Sequence, residues 1–179
     1  MLDVAVAYNR YQFLGNEFLT WLWYVIESNP DRLRKSDPSL AALELGNRLI
    51  LQNHTRQTTE TVSIRGDEAG MEEGMLALQK GAMVAEMNLI HRSGEQEWRF
   101  SVKGENLQIS GLKVPETGPI ESGEDIEAAV IEKAYLCHRS VQLISRLFFD
   151  FIHLRLTDAW KQEVVPGIRR WIFLTSNKK

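Results

Sequence analysis

Cysteine is almost absent: Cys137 is the only thiol in 179 residues. That excludes an internal disulfide framework and fits a reducing compartment. No run approaches the roughly 18–20 apolar residues that a bilayer span requires, and the N-terminus lacks a charged segment ahead of an apolar core. The expectation is a soluble, cytoplasmic protein with no membrane partner. Catalytic signatures are missing as well. There is no G-x-x-x-x-G-K-[ST], G-x-S-x-G or H-E-x-x-H, and Gly66, Gly70 and Gly74 read as turn and packing residues. The four histidines, at 54, 91, 138 and 153, are scattered. Asp150 and His153 could begin a metal site but read more simply as a surface pair. No cofactor, metal or catalytic residue is assigned.

Glycine and proline are absent over the whole of residues 124–165, and that absence defines the spine of the chain. Val130, Ala134, Cys137, Val141, Ile144, Phe148 and Ile152 recur at steps of three and four, one stripe of a helix. Leu136, Leu143, Leu147 and Leu154 widen it, while Glu132, Arg139, Arg146 and His153 mark the opposite side. Ser122 reads as the N-cap. At ~1.5 Å per residue, a helix of about 33 residues spans roughly 50 Å, longer than a small domain is wide. Cys137 on the apolar stripe reads as a buried, inert thiol.

The rest of the chain supplies a sheet. Leu2, Val4, Val6 and Tyr8 alternate and predict a short strand within Met1–Gln12. Phe13–Ser28 is apolar nearly all round and predicts a buried helix, capped by Asn16, against the long helix. Residues 29–39, with Pro30 and Pro38, read as a loop. Gly46–Asn53 and Thr58–Arg65 read as strands, and Gly66–Gln79 as a short helix. Ala82–His91, Glu97–Lys103 and Leu107–Lys113 read as a three-strand meander. Val164–Gly167 should break the chain before a last element, Ile168–Leu174. The expected fold is therefore a single α+β domain over 1–179. It holds a mostly antiparallel sheet of about five strands, a buried N-terminal helix and a long C-terminal helix.

Net charge is −3, but its distribution is uneven. Residues 133–179 carry nine Lys/Arg against Asp150, Asp158 and Glu163, a net of +6, which leaves −9 on the remainder. Arg139 and Arg146 lie on the polar side of the long helix, and Lys161, Arg169 and Arg170 follow it, interleaved with Trp160 and Trp171. Cationic side chains neutralise phosphates and indoles stack on bases, although the tryptophans could equally pack the C-terminus onto the domain. Arg32, Arg34 and Lys35 form a second basic run in the 29–39 segment.

The segment Phe13-Leu-Gly-Asn-Glu-Phe-Leu-Thr-Trp-Leu-Trp-Tyr24 resembles one found in bacterial recombination-associated proteins of the RdgC type. Lys80-Gly-Ala-Met-Val84, Gly111-Leu-Lys-Val-Pro115 and Phe148-Phe-Asp-Phe-Ile-His-Leu-Arg155 follow in the order of that family's C-terminal half. The likeness covers most of residues 13–175; the family's N-terminal half has no counterpart in it. The resemblance implies a non-enzymatic α+β protein, nucleoid-associated, that binds DNA weakly and without sequence preference. It also implies a homodimer and a possible recombination-protein partner. The expected DNA contacts are Arg139, Arg146, Lys161, Arg169 and Arg170, with Arg32, Arg34 and Lys35 as a secondary set. Two rival readings stand beside this one: a protein-interaction module that kept the fold without the DNA surface, and a metal-dependent nuclease.

Overall fold

Trp98, Phe100 and Val102 alternate with Glu97, Arg99, Ser101 and Lys103, a period of two that turns one set inward. In the computed structural model, which describes residues 4–36, 42–54, 58–65, 68–118 and 123–176, this alternation is strand β4 (Gln96–Lys103). It pairs antiparallel with β3 (Met83–Ser93) through His91↔Trp98, Leu89↔Phe100 and Met87↔Val102. Beyond β3 lies β1 (Leu43–His54) and then β2 (Thr59–Arg65); on the other side β4 pairs with β5 (Ile109–Lys113). The sheet is five-stranded and antiparallel, in the order β2-β1-β3-β4-β5.

Its inner face holds Leu43, Leu49, Leu51, Ile64, Val84, Met87, Leu89, Trp98, Phe100 and Val102, all buried. The outer face carries charge instead. There Arg92 of β3 donates to Glu44 of β1 and to Glu97 of β4, both at 2.7 Å.

The helices cover the inner face. Helix α1 (Val4–Ser28) lies over β3, and the Thr20 hydroxyl joins them: it accepts from the Val84 amide at 3.0 Å and donates to the Asn16 carbonyl at 2.8 Å. Phe18, Leu19, Trp21, Leu22, Trp23 and Val25 are buried, as an all-round apolar helix requires. The strand expected within Met1–Gln12 is helical from Val4 onward. Nothing between Val4 and Phe13 breaks a helix, so one that forms at Asn16–Ser28 extends backward without a new nucleation cost. Asn16 accordingly lies inside the helix instead of capping it. Residues 29–39 are not a plain loop either: α2 spans Pro30–Ser36. Pro30 takes the first helical position, where its missing N–H costs nothing, and Asp31 favours the positive end of the dipole.

Helix α3 (Glu68–Gln79) turns Met75 and Leu78 inward and Glu72 and Glu73 to solvent. The expected long helix is α4 (Gly123–Arg155), 33 residues. Ser122, its expected cap, lies outside the described residues. The phase of its buried stripe differs from the expected one. Leu136, Ser140, Ile144, Leu147 and Phe151 are buried, whereas Val130 and Val141 are exposed and Cys137 is half-buried. Both stripes are apolar enough to serve, and the one that meets α1 and Trp98 is the one taken. The chain does not break at Val164–Gly167. It turns at Leu156–Thr157, and a π-helical run, Trp160–Val164, leads straight into α5 (Val165–Ser176), longer than the expected Ile168–Leu174. Pro166, which has no N–H to give to the ladder, directly follows the π-helical run, where an i→i+5 bond from the Val165 amide to the Trp160 carbonyl replaces the α-helical pattern.

Candidate nucleic-acid interface

Among the expected DNA contacts whose side chains are described, Arg139 and Arg146 share one cleft. They lie seven residues apart on α4, two helical turns or about 10 Å along one side. Both flank the stripe that α4 turns toward the sheet. Their position is set by Trp98, whose indole N–H donates to the Leu136 carbonyl at 3.2 Å and so docks α4 on β4. The Arg139 guanidinium stands 5.0 Å from the centre of the Trp98 ring, a cation–π contact that orients its planar head. His91, opposite Trp98 in the β3–β4 register, packs on the same indole with ring centres 5.3 Å apart.

These residues, with Ser140, Gln142 and Leu143, enclose a cleft of about 180 Å³ between α4 and β3–β4. No carboxylate among the described residues lines it. Ser140 is 2% exposed, and its hydroxyl has no hydrogen-bond partner among the described residues. A helical serine ordinarily donates to the carbonyl four residues back. Here that carbonyl, of Leu136, already takes the Trp98 indole N–H. The cleft thus brings two guanidinium groups to one side of α4, a pair suited to anionic oxygen, above a buried imidazole and a buried hydroxyl.

The other expected contacts are elsewhere. Lys161 is exposed on the π-helical run, and Arg169 and Arg170 are exposed on α5. None of the three lines the cleft. Helix α5 packs on α3, where Gln79 Nε2 donates to the Ile172 carbonyl, so its basic residues neighbour the helix that bears Glu72 and Glu73. Trp160 and Trp171 are buried rather than free to stack on bases. Trp160 packs edge-on against Phe151 at 5.4 Å, and Trp171 against Trp23 at 5.2 Å. Arg32 lies on α2 and lines a different cleft, with Asp150 and His153. The side chains of Arg34 and Lys35 lie outside those described.

Five residues of the cleft were not among the candidate contacts read from the sequence: His91, Trp98, Ser140, Gln142 and Leu143. Trp98 and His91 are legible only as inward positions of their strands. Ser140 carried a stronger signal, since it interrupts the apolar series Leu136, Ile144, Leu147 with a polar group that a core position must satisfy or leave open. No family model, no curated protein and no solved structure matches the chain.

Proposed function

We propose that this protein is a non-enzymatic, sequence-nonspecific DNA-binding protein of the RdgC kind, holding phosphate through Arg139 and Arg146. The observation that carries the reading is the placement of Arg139 and Arg146 on one cleft that no carboxylate among the described residues lines. Arginine forks match phosphate oxygens. The resemblance of residues 13–24 and of the later motifs supports the same assignment and, with it, a role beside recombination proteins on the nucleoid. The proposed contact set is smaller than the sequence suggested, so binding is weak. Two contacts give a log–log salt slope of about −1.8 on duplex DNA, and a dimer presenting both copies about −3.6.

The test is a salt titration of duplex binding by fluorescence anisotropy. Reversal of Arg139 and Arg146 to Glu abolishes binding at low salt for every sequence alike, because phosphate contacts carry no base information. Reversal of Arg169 and Arg170 lowers affinity far less. Undiminished binding after the Arg139/Arg146 reversal would remove the reading.

A second reading, a protein-interaction module, is favoured by a separate observation. Ile126, Val130, Ile131, Tyr135, Val141 and Phe149 are about half exposed or more, all on α4. From Gly123 to Tyr135 no described side chain of this helix is buried. Apolar surface concentrated on one projecting helix marks an interface, and the partner proposed is a second copy of the chain. No helix among the described residues is long and apolar enough to cross a membrane.

A further inference from the structure

The side of α4 turned away from the sheet includes an exposed histidine, His138. Ile131, Ala134, His138, Val141, Ser145 and Phe149 recur there at steps of three and four, and all are exposed. Such a row is the seam of a two-helix pair, and its midpoint lies within two residues of His138. Charge points to the same place. Four of the five carboxylates of α4, Glu124, Asp125, Glu127 and Glu132, precede His138, and its three arginines follow it. A second copy laid antiparallel therefore sets acidic half against basic half about an axis near His138. In an antiparallel pair of identical helices, the residue nearest the two-fold axis meets its own copy. A parallel pair in register brings every seam residue against its copy, His138 included.

The surroundings decide which form of the imidazole tolerates that meeting. Within one turn of His138 on α4, the titratable groups are Tyr135, Cys137 and Arg139. On one flank Lys133 and Cys137 share a cleft with Lys113 and Glu116 of the segment that follows β5. On the other, Arg139 and Arg146 share theirs with His91. Glu132, the nearest carboxylate on α4 itself, lies six residues away. A second copy brings the same set, so positive charge outweighs negative around the seam. A neutral imidazole fits there, whereas two imidazolium ions withdrawn from water against each other do not. We infer that His138 makes the pairing of two α4 helices pH-dependent: the copies associate while the imidazole is neutral and separate as it gains a proton. The inference rests on the reading of α4 as a contact with a second copy, and it adds how that contact is regulated. Separated chains take up the proton more readily than paired ones. Pairing is therefore complete above the ordinary range of histidine and is lost as pH falls through it.

The test is sedimentation equilibrium of the full chain, without DNA, at about pH 7.5 and about pH 5.5, on the parent protein and on His138→Gln. An ordinary histidine is about nine-tenths protonated at the lower value, so each imidazole excluded from the pair in its charged form weakens association about tenfold. The parent's dimer dissociation constant should rise by about tenfold at least and, with both imidazoles contributing, by about a hundredfold. His138→Gln, polar but uncharged at both values, should stay within about twofold. Circular dichroism at each pH reads the fold. A parent dimer indifferent to acid would overturn the inference and leave the pairing itself standing. A His138→Gln dimer that weakens as much as the parent would overturn it too, placing the titration on another group. Loss of fold in acid by both proteins would do the same, since acid would then act through the core, where His91 is buried. A parent that is monomeric at tens of micromolar and about pH 7.5 would remove the pairing, and the inference with it.

Discussion

Gly15 of α1 and Gly104, in the turn that follows β4, pack backbone against backbone. A Cβ on Gly15 would overlap the Gly104 carbonyl, and one on Gly104 would overlap the Asn16 side chain. The turn cannot retreat, because the Gly104 amide donates to the Ala85 carbonyl of β3 at 2.7 Å. Glycine inside a helix ordinarily costs about 1 kcal/mol relative to alanine. At this position the cost brings α1 close enough for Thr20 to reach the Val84 amide.

Gly15→Ala should therefore destabilise despite the better helix propensity of alanine. Overpacking against unyielding backbone costs about 1–3 kcal/mol, more than the propensity gain returns. Urea unfolding should show a lower midpoint at unchanged slope. A midpoint at or above that of the parent protein would contradict the close approach.

The phase of α4 yields a paired prediction. Leu147 is 1% exposed and Val130 63% exposed, although both belong to apolar series that a helical wheel would call equivalent. Leu147→Ala should cost about 2–5 kcal/mol, and Val130→Ala should stay within about 0.5 kcal/mol. Equal losses would place the buried stripe where the sequence suggested it, through Val130 and Val141.

That pair also shows how far the sequence could be read. The α+β class, the five strands and the length of α4 were legible because period-two runs such as Trp98–Val102 and the break-free 124–165 stretch admit few alternatives. The phase of α4 was not, since two apolar stripes on one helix compete and only the position of its neighbours chooses between them. The N-terminal strand failed for a related reason: four alternating residues weigh less than an unbroken helix growing back from Asn16. Of the candidate interface, charge was legible and position was not. Arg139 and Arg146 share one side of one helix, which spacing can show. Lys161 lies on a π-helical run, and Arg169 and Arg170 follow it, a geometry that residue types do not announce. The cleft beneath Arg139 needs Trp98 and His91, forty residues and more away in the chain.

A pH dependence follows from the outer face of the sheet. Hydrogen bonds from Arg99, at 2.5 Å, and Arg92, at 2.7 Å, hold the Glu97 carboxyl below its ordinary value of 4.5. A carboxylate with a depressed folded pKa stabilises the fold fully above its unfolded pKa and loses that contribution as pH falls through the folded value. The cluster is solvent-exposed, so its contribution should be screened by salt. Unfolding curves of the parent and of Glu97→Gln should differ at neutral pH and converge below pH 4.5. A difference that persists unchanged into strong acid would mean that the pair does not link the two arginines to stability.

The last prediction concerns the outward side of α4. Ile131, Ala134, His138, Val141, Ser145 and Phe149 are all exposed and are spaced by three, four, three, four and four residues, the seam of a two-helix coiled coil. They lie opposite Leu136, Ser140 and Leu147, so a partner helix could occupy this side without disturbing the contact with the sheet. Charge sets the direction. Glu124, Asp125, Glu127 and Glu132 against Lys133 leave the first half of α4 at −3, while Arg139, Arg146 and Arg155 against Asp150 leave the second half at +2. Parallel copies would align like charge with like, whereas antiparallel copies set acidic against basic half about a two-fold axis near His138. Ile131→Asp should accordingly raise the dimer dissociation constant by about tenfold or more, the loss of one well-placed contact, as read by sedimentation equilibrium. Because Ile131 is 71% exposed in the single chain, the same variant should keep the monomer's stability within about 0.5 kcal/mol. A parent protein that is monomeric at tens of micromolar would remove the pairing, and a dimer indifferent to Ile131→Asp would move it to another surface, such as the edge of the sheet at β2 or β5.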